Sequence, residues 1–294
     1  MQFDRTRIAI RERPFLDIVD LSFQVLRSFL WPLFLTTLVV ALPIAVIDWW
    51  LLRDLIREEL ELSLVIRYVW LLTMLVFLQA PLVSAVGTTY LGNALFYASA
   101  RPKDLWKDAR GTLPRLLLLQ GILRGVLPGM LVLLLVDPMD NLSPVEFFFM
   151  PALCFVAIGF RAFRPYLNEI VLLEKCPLRS RGDNSMSIAK RSSALHRFSS
   201  GELLGRWVIA TFLSLLLVLS LFGSLFFVAS LFLGGDGFQY LMWYVGLPLA
   251  MWLTAMYFTV VRFLGYLDLR IRREGWEVEL QIRTVGARLA EQLS

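Results

Sequence analysis

The chain has 294 residues, of which 57% are hydrophobic and 18% are charged, and its mean hydropathy is +0.66. Soluble domains are typically about 45–50% apolar and about 25% charged, so this composition excludes a soluble globule. The formal net charge is +5, and long uncharged stretches alternate with short charged ones, a pattern typical of a polytopic helical membrane protein.

Hydropathy along the chain predicts six membrane-spanning helices. A helix needs about 20 apolar residues to cross a bilayer core of about 30 Å, and four segments meet this requirement easily. The other two, the third and fourth of the six predicted spans, are weaker. The third span is interrupted by Arg124 and Pro128, and the fourth has only 14 uncharged residues before Arg161. These two weaker segments also fit a re-entrant or strongly tilted pair. The predicted spans are 28–52, 68–92, 116–136, 143–163, 207–234 and 237–262, between an N-terminal segment (1–27) and a C-terminal tail (263–294).

The distribution of basic residues predicts the orientation of these helices. Cytoplasmic ends are enriched in lysine and arginine. The N-terminal segment, the second and fourth loops and the tail contain 25 of the 29 basic residues when Arg161 and Arg262, at the ends of their spans, are counted with the adjoining loop and tail. The other side has only Arg53, Arg57 and Arg67. An even number of spans with both termini in the cytoplasm of a bacterial inner membrane is therefore expected. The positive charge indicates topology, and no nucleic-acid partner is expected.

A short motif recurs where the second, fourth and sixth spans end. It reads Thr89-Tyr90-Leu91-Gly92, then Pro165-Tyr166-Leu167-Asn168, then Gly265-Tyr266-Leu267-Asp268. A charged amphipathic stretch precedes each odd-numbered span, at 15–27, 102–115 and 185–206. This pattern predicts an all-α membrane protein of three helical hairpins, each preceded by an interfacial helix on the cytoplasmic side. The alternative is that the tyrosines only mark the aromatic belts of the membrane interface.

Arg124 is the candidate for an intramembrane site, because an ionisable group within a span is costly unless it finds a partner. Gln79 and Gln120 are expected at a similar depth and are its candidate partners. One hypothesis is a polar site for an anionic lipid headgroup or substrate. The other is that Arg124 extends to the headgroups of the cytoplasmic leaflet.

Other polar residues give little support for catalysis. Asp48, beside Trp49 and Trp50, is expected to be solvated at the outer interface, and His196, the single histidine, is expected to be solvated in a Ser- and Arg-rich stretch. A lone histidine is a poor metal site. The chain has no phosphate-binding loop, HExxH, GxSxG or CxxC motif, so we expect no enzymatic activity, no metal and no cofactor.

The tail has a recognisable pattern of charges, from Tyr266-Leu267-Asp268 through Arg270, Arg272, Glu274 and Gly275 to Glu279-Leu280. Together with the stretch from Arg164 to Glu174, it resembles bacterial six-helix proteins related to the membrane domain of glycerophosphoryl diester phosphodiesterases. The catalytic barrel of those enzymes has no counterpart here, so no catalytic residue is implied. Asp268 and Arg272 are spaced as an i,i+4 ion pair. The predicted lipid-headgroup contacts in the tail are Arg270, Arg272, Arg273 and Trp276.

Two main functional hypotheses follow from the sequence, and a membrane-embedded hydrolase ranks third behind them. The first is a non-enzymatic membrane domain that anchors partners or handles lipid through its basic cytoplasmic face. Its partners would be the bilayer, anionic lipid headgroups and other membrane or cytoplasmic proteins. The alternative is a transporter subunit for a small solute or a lipid, with Arg124 and the proline-containing helices lining the path.

Overall fold

A computed structural model describes residues 13–55, 62–96, 111–112, 114–122, 124–135, 144–178, 186–197, 199–233 and 237–274. These residues are helical, with short turns and connections between the helices and no β-strand among them. The helices are α1 (Phe15–Ser28), α2 (Leu30–Leu52), α3 (Leu62–Phe96), α4 (Val126–Leu135), α5 (Pro144–Phe163), α6 (Leu167–Leu173), α7 (Ile188–His196), α8 (Ser200–Leu233), α9 (Gly237–Leu241) and α10 (Leu247–Glu274). Two π-helical segments, Leu117–Ile122 and Met242–Gly246, precede α4 and α10.

Among the helices that the structure describes, four are long and apolar enough to cross a membrane. They are Leu30–Leu55, Leu62–Leu95, Ser200–Phe232 and Phe238–Arg273. Two further pairs pass the same test only together, and each is bent, by 57° between Pro114–Ile122 and Val126–Leu134 and by 69° between Phe147–Phe163 and Leu167–Leu173. Within the described residues, the protein is therefore an all-helical multi-pass membrane protein with four candidate spans, or up to six if each bent pair is one span. The two bent pairs coincide with the segments that hydropathy marked as weak.

Helix α10 occupies the centre of the bundle and packs against α1, α2, α3 and α8. One apolar cluster joins α2, α3, α4, α5 and α10, and a second joins α1, α3 and α10 around Val260 and Phe263, which have no exposed surface. Helix α1 lies where α3 and α10 end, and we call this end of the bundle the α1 end. Because α3 and α10 run in parallel, their second halves both approach this end.

The first bend depends on a glycine. Gly125 has a φ of +85°, a conformation that residues with a Cβ rarely adopt, and its carbonyl accepts the first hydrogen bond of the following helix from Gly129 N at 2.9 Å. The second bend follows Phe163, where Arg164, Pro165 and Tyr166 form a turn before α6 begins. Both bends interrupt an apolar helix with polar residues, and the two bends lie against each other.

Helix α6 fits between α3 and α10 because two glycines permit close approach. A Cβ at Gly92 would lie 2.5 Å from Leu173 Cδ2, and a Cβ at Gly265 would lie 2.7 Å from the hydroxyl oxygen of Tyr166. Both glycines belong to the recurring tyrosine motif. The small residues of the motif thus make room for α6, which contributes Asn168 and Glu169 to the site described next.

Candidate functional site

The proline in the middle of α3 leaves a backbone carbonyl without its helical partner. Pro81 has no N–H to donate to the carbonyl of Phe77, four residues earlier. The guanidinium of Arg161, from the end of α5, donates to this carbonyl and also reaches the carbonyl of Leu78 at 3.4 Å. It lies over the ring of Phe77, 3.8 Å from the centroid. The carbonyl that Pro81 leaves without a helical donor is therefore bound by a charged side chain from a neighbouring helix.

Asn168 of α6 makes a second attachment to α3 beside Pro81. Its Nδ2 donates to the carbonyl of Pro81 at 2.8 Å, and its Oδ1 accepts a hydrogen bond from Gln120 Nε2. Asn168 and Gln120 are 2% and 1% exposed. The buried amide pair of Gln120 and Asn168 thus joins the π-helical segment Leu117–Ile122 to α6 and α3.

Glu169, the next residue of α6, pairs with Arg262 of α10. Arg262 Nε donates to Glu169 Oε1 at 2.6 Å, and its Nη2 donates to Ser84 Oγ at 2.8 Å. Glu169 has no exposed surface, whereas the side chain of Arg262 is 24% exposed. The carboxylate of Glu169 is therefore buried against a guanidinium that still reaches the protein surface.

Arg124 is buried in the interior of the protein, with 4% of its surface exposed. Its Nη2 lies 3.4 Å from the carbonyl of Arg164, and its guanidinium lies 5.9 Å from the ring centroid of Phe160. The side chain packs against the turn of the second bend and does not extend to the surface. Of the two hypotheses for Arg124, this position favours an internal polar site.

We call six of these residues the break cluster: Gln120, Arg124, Arg161, Asn168, Glu169 and Arg262. Among the described residues, the cluster has three guanidiniums and one carboxylate, an excess of two positive charges. Several buried polar atoms in the cluster have no hydrogen-bond partner: Gln120 Oε1, Arg124 Nε, Arg161 Nε and Glu169 Oε2. Buried polar atoms are normally paired. Arg124 Nε and Arg161 Nε are donors, and beside an excess of positive charge these two unpaired donors suit an anion, whereas Gln120 Oε1 and Glu169 Oε2 are acceptors.

The structure places Gln79 apart from Arg124. Gln79 Nε2 donates to Asp48 Oδ1 of α2 at 2.6 Å, and Gln120 pairs with Asn168, so the recorded hydrogen bonds of both glutamines are made with partners other than Arg124. Asp48 is 2% exposed. The expectation of a solvated Asp48 was therefore wrong. Asp48 lies near the end of α2, but it packs against the middle of the longer helix α3, which covers its side chain.

At the α1 end, Asp268 of the tail motif accepts three hydrogen bonds. Its Oδ1 accepts from the backbone N of Arg13 at 2.9 Å, and its Oδ2 accepts from Arg206 at 3.0 Å and from Arg272 at 2.9 Å. The predicted i,i+4 pair of Asp268 and Arg272 is confirmed. Asp268 thus joins the start of α1, the first part of α8 and the end of α10.

The predicted lipid-contacting arginines are bound largely within the protein. Arg272 also pairs with Glu202 at 3.0 Å, Arg270 lies 3.9 Å from Glu174, and Arg273 donates to Ser199. Trp276 lies outside the described residues, as does most of the second charged stretch, 102–115. Lipid contact through these tail residues stays a prediction.

His196 is buried, so the expectation of a solvated histidine was wrong. It is 3% exposed, its ring stacks on Tyr166 at 5.8 Å, and its Nδ1 donates to the carbonyl of Ser192 at 2.7 Å. Burial lowers the pKa of His196 below its usual 6.5; the hydrogen bond to Ser192 opposes this shift, and the nearby Arg164 and Arg124 add to it. Histidine at this position is therefore held neutral.

This lowered pKa predicts a pH-dependent contribution to stability. The unfolded chain binds a proton on His196 more readily than the folded one. The contribution of His196 to the free energy of unfolding is therefore complete above pH 6.5 and is lost as the pH falls through the folded-state pKa. The slope is at most about 1.4 kcal/mol per pH unit. Unfolding in detergent, followed as a function of pH, should show this slope in the wild type and a shallower one in His196→Asn. Equal slopes would contradict the prediction.

Comparison with known proteins found no matching family model, no matching curated protein and no matching solved structure. The resemblance of the tail to the membrane domain of glycerophosphoryl diester phosphodiesterases therefore stays a prediction.

Sequence reasoning did not identify most of the break cluster, although signals for it were present. Asn168 and Asp268 occupy the same position of the recurring motif, after Tyr-Leu, and both are buried hydrogen-bond acceptors with partners on other helices. Pro81 pointed to a freed carbonyl that would need a donor. What the sequence could not supply was which arginine reaches that carbonyl.

Proposed function

We propose that the protein is a transport protein for a substrate that carries an anionic group of the phosphate type, either a free solute or a lipid headgroup. The observation that supports this proposal is the break cluster, with its two excess positive charges and its unpaired donors. Ionisable residues inside membrane helices are costly and commonly mark substrate or ion pathways. No enzymatic step and no cofactor are part of the proposal.

The position of the cluster supports transport over simple anchoring. Many transporters bind their substrates where two membrane helices are interrupted, because irregular backbone is tolerated only where it faces protein or a cavity. Here both bent pairs contribute to one cluster, Gln120 and Arg124 from the first and Arg161, Asn168 and Glu169 from the second. The cluster also contacts α3 beside Pro81, and a proline is a point at which a helix can bend.

The anchoring hypothesis rests on a basic cytoplasmic face, and several arginines in the described part of that face form ion pairs within the protein. Arg206 and Arg272 pair with Asp268 and Glu202, and Arg191 pairs with Glu174. Charges committed to internal pairs are less available to a partner or to lipid. The anchoring role remains a hypothesis, and the geometry favours the anion site.

We propose the following topology for this transporter: six spans in three hairpins, with both termini in the cytoplasm of a bacterial inner membrane. The excess of basic residues in the N-terminal segment, two loops and the tail supports this orientation. In this topology the α1 end faces the cytoplasm, and the break cluster lies between it and the centre of α3.

The proposed anion site predicts that Arg124→Gln weakens anion binding about tenfold or more, because one charge-assisted contact is lost. Inorganic phosphate is titrated against the protein in nanodiscs of zwitterionic lipid, and binding is followed calorimetrically. In parallel, native mass spectrometry measures retention of phosphatidylglycerol against phosphatidylcholine. Retention of the lipid alone indicates a headgroup substrate, and binding of phosphate alone indicates a solute.

Arg53→Gln is the matched control, since it removes the same charge from a partly exposed arginine that pairs with Asp54 at 3.6 Å. It should leave both kinds of binding unchanged. The anion site would be refuted if neither probe bound, or if both variants lowered binding equally. The transport step is tested by flux of the bound probe in proteoliposomes, and binding without flux would leave a lipid-handling or anchoring domain.

A further inference from the structure

A buried carboxylate lies outside the break cluster and has no part in the proposed anion site. Asp48 of α2 is 2% exposed, and its partner Gln79 of α3 has no exposed surface. Gln79 is the central residue of α3, with 17 residues of the helix on either side. The pair therefore lies deep in the bundle, in the middle turns of its second-longest apolar span.

One oxygen atom of each residue in this pair lacks a hydrogen-bond partner. Gln79 Nε2 donates to Asp48 Oδ1 at 2.6 Å, which leaves Asp48 Oδ2 and Gln79 Oε1 buried without a partner. Both of these oxygens are acceptors, so neither can satisfy the other while the carboxyl is ionised. A single proton on Asp48 Oδ2 would donate to Gln79 Oε1. The acid and the amide would then each donate one hydrogen bond and accept one.

The surroundings contain no recorded positive charge for an ionised Asp48. Among the described residues, no lysine or arginine forms an ion pair with it; Arg53 and Asp54, beyond the end of α2, pair with each other. The phenol of Tyr68 interacts with Asp48 and donates to the backbone carbonyl of Trp243. Tyr244, which lies beside Tyr68, donates to the carbonyl of Arg53.

Helix α10, which also packs against α2, supplies no charge near the pair either. It has no charged residue before Arg262, and Arg262 is bound to Glu169 and Ser84. The phenol of Tyr257 donates to the carbonyl of Val19 at 2.9 Å. An unpaired carboxylate in an apolar interior costs many kcal/mol, and binding a proton removes that cost.

We propose that Asp48 and Gln79 form an intramembrane proton-binding site, in which Asp48 carries the proton on Oδ2 and donates it to Gln79 Oε1. Gln79 lies one to two residues from Phe77 and Leu78, whose carbonyls Arg161 contacts, so the proton site and the break cluster hold the same turn of α3. Release of the proton would leave two buried acceptors unpaired and loosen α2 from this turn. A metal ion is a poorer occupant: Ca²⁺ and Mg²⁺ take about six oxygen ligands, and the described residues contain no group of three or more His, Cys, Asp or Glu that could hold an ion.

Infrared difference spectroscopy of the full chain in lipid nanodiscs tests the proposal. A pH titration of the wild type should show a protonated-carboxyl C=O band that shifts in D2O, and Asp48→Asn should lose this band. Asp54→Asn, which removes a carboxylate from the partly exposed pair with Arg53, should retain it at wild-type intensity. This measurement needs no anion, so its outcome is separate from that of the anion-binding experiment.

Stability provides a second readout. The amide introduced by Asp48→Asn can donate a hydrogen bond where the protonated acid donates one, so this variant should unfold at the wild-type temperature or above, whereas Asp48→Ala should unfold at a lower one. The proposal is overturned if the band persists in Asp48→Asn, or if Asp48→Asn destabilises the protein as much as Asp48→Ala does. It is also overturned if adding Na⁺ at constant pH removes the band.

Discussion

Replacing Glu169 by glutamine should lower the free energy of unfolding by about 3–5 kcal/mol, the usual cost of removing one member of a buried ion pair. Glu169 is fully buried and is the carboxylate that compensates Arg262, while Arg124 and Arg161 lie in the same cluster. The glutamine keeps the shape and one acceptor but leaves these guanidiniums without a negative charge. The loss is measured by unfolding the protein in mixed micelles.

Glu202→Gln is the control for this prediction, since it removes the same charge from a residue whose side chain is 44% exposed and pairs with Arg206 and Arg272. Exposed ion pairs contribute about 0–1 kcal/mol, so this variant should remain close to the wild type. Adding Arg262→Gln to Glu169→Gln should recover part of the loss, because it removes one of the uncompensated charges. Equal losses for Glu169→Gln and Glu202→Gln would contradict the assignment of Glu169 as the compensating charge.

The same variant connects stability with the proposed function. Removing the carboxylate raises the positive potential of the break cluster, so Glu169→Gln should bind the anionic probe more tightly while its unliganded form is less stable. The probe should therefore raise the unfolding temperature of Glu169→Gln more than that of the wild type. If the anion stabilised both proteins equally, the anion would bind somewhere other than this cluster.

Asp268→Asn should lower the free energy of unfolding by about 2–4 kcal/mol, because one side chain accepts hydrogen bonds from three parts of the chain. Asparagine has only one acceptor oxygen, so it cannot accept from Arg13 N on one side and from Arg206 and Arg272 on the other. Arg206, which is 8% exposed, would retain only Glu202 as a carboxylate partner. Hydrogen exchange should show lost protection at the start of α1 and in the first turns of α8.

Asp17→Asn serves as the control for Asp268→Asn, since Asp17 is exposed on α1 itself. It should change neither the unfolding free energy nor the exchange of α1 by a measurable amount. Helix α1 is also held by the apolar contacts of Ile18 and Val25 and by the hydrogen bond from Tyr257 to Val19. We therefore expect Asp268→Asn to loosen the N-terminal end of α1 first. Uniform loss of protection along the whole chain would contradict a local role.

Hydropathy predicted the helical class and the positions of the apolar helices well, because both follow from composition over about 20 residues. It also located the two weak segments, which the structure shows to be bent. Hydropathy failed for Asp48 and His196, since the exposure of one side chain depends on what packs against it. Arg124 was identified as an unusual residue, but its expected partners were not the ones the structure records, because depth along the chain does not specify which helices are neighbours.

By itself, the sequence determined that this protein lies in a membrane, that it is helical and where its spans weaken. These properties are sums over many residues, and no tertiary contact alters them. Only the tertiary structure decided that both weak segments pack against α3, that Arg161 reaches the carbonyl freed by Pro81, and that Glu169 faces an excess of guanidiniums. Such contacts join residues about 80 to 90 positions apart in the chain. The role of a buried charged side chain depends on its neighbours in space, and the sequence alone does not specify those neighbours.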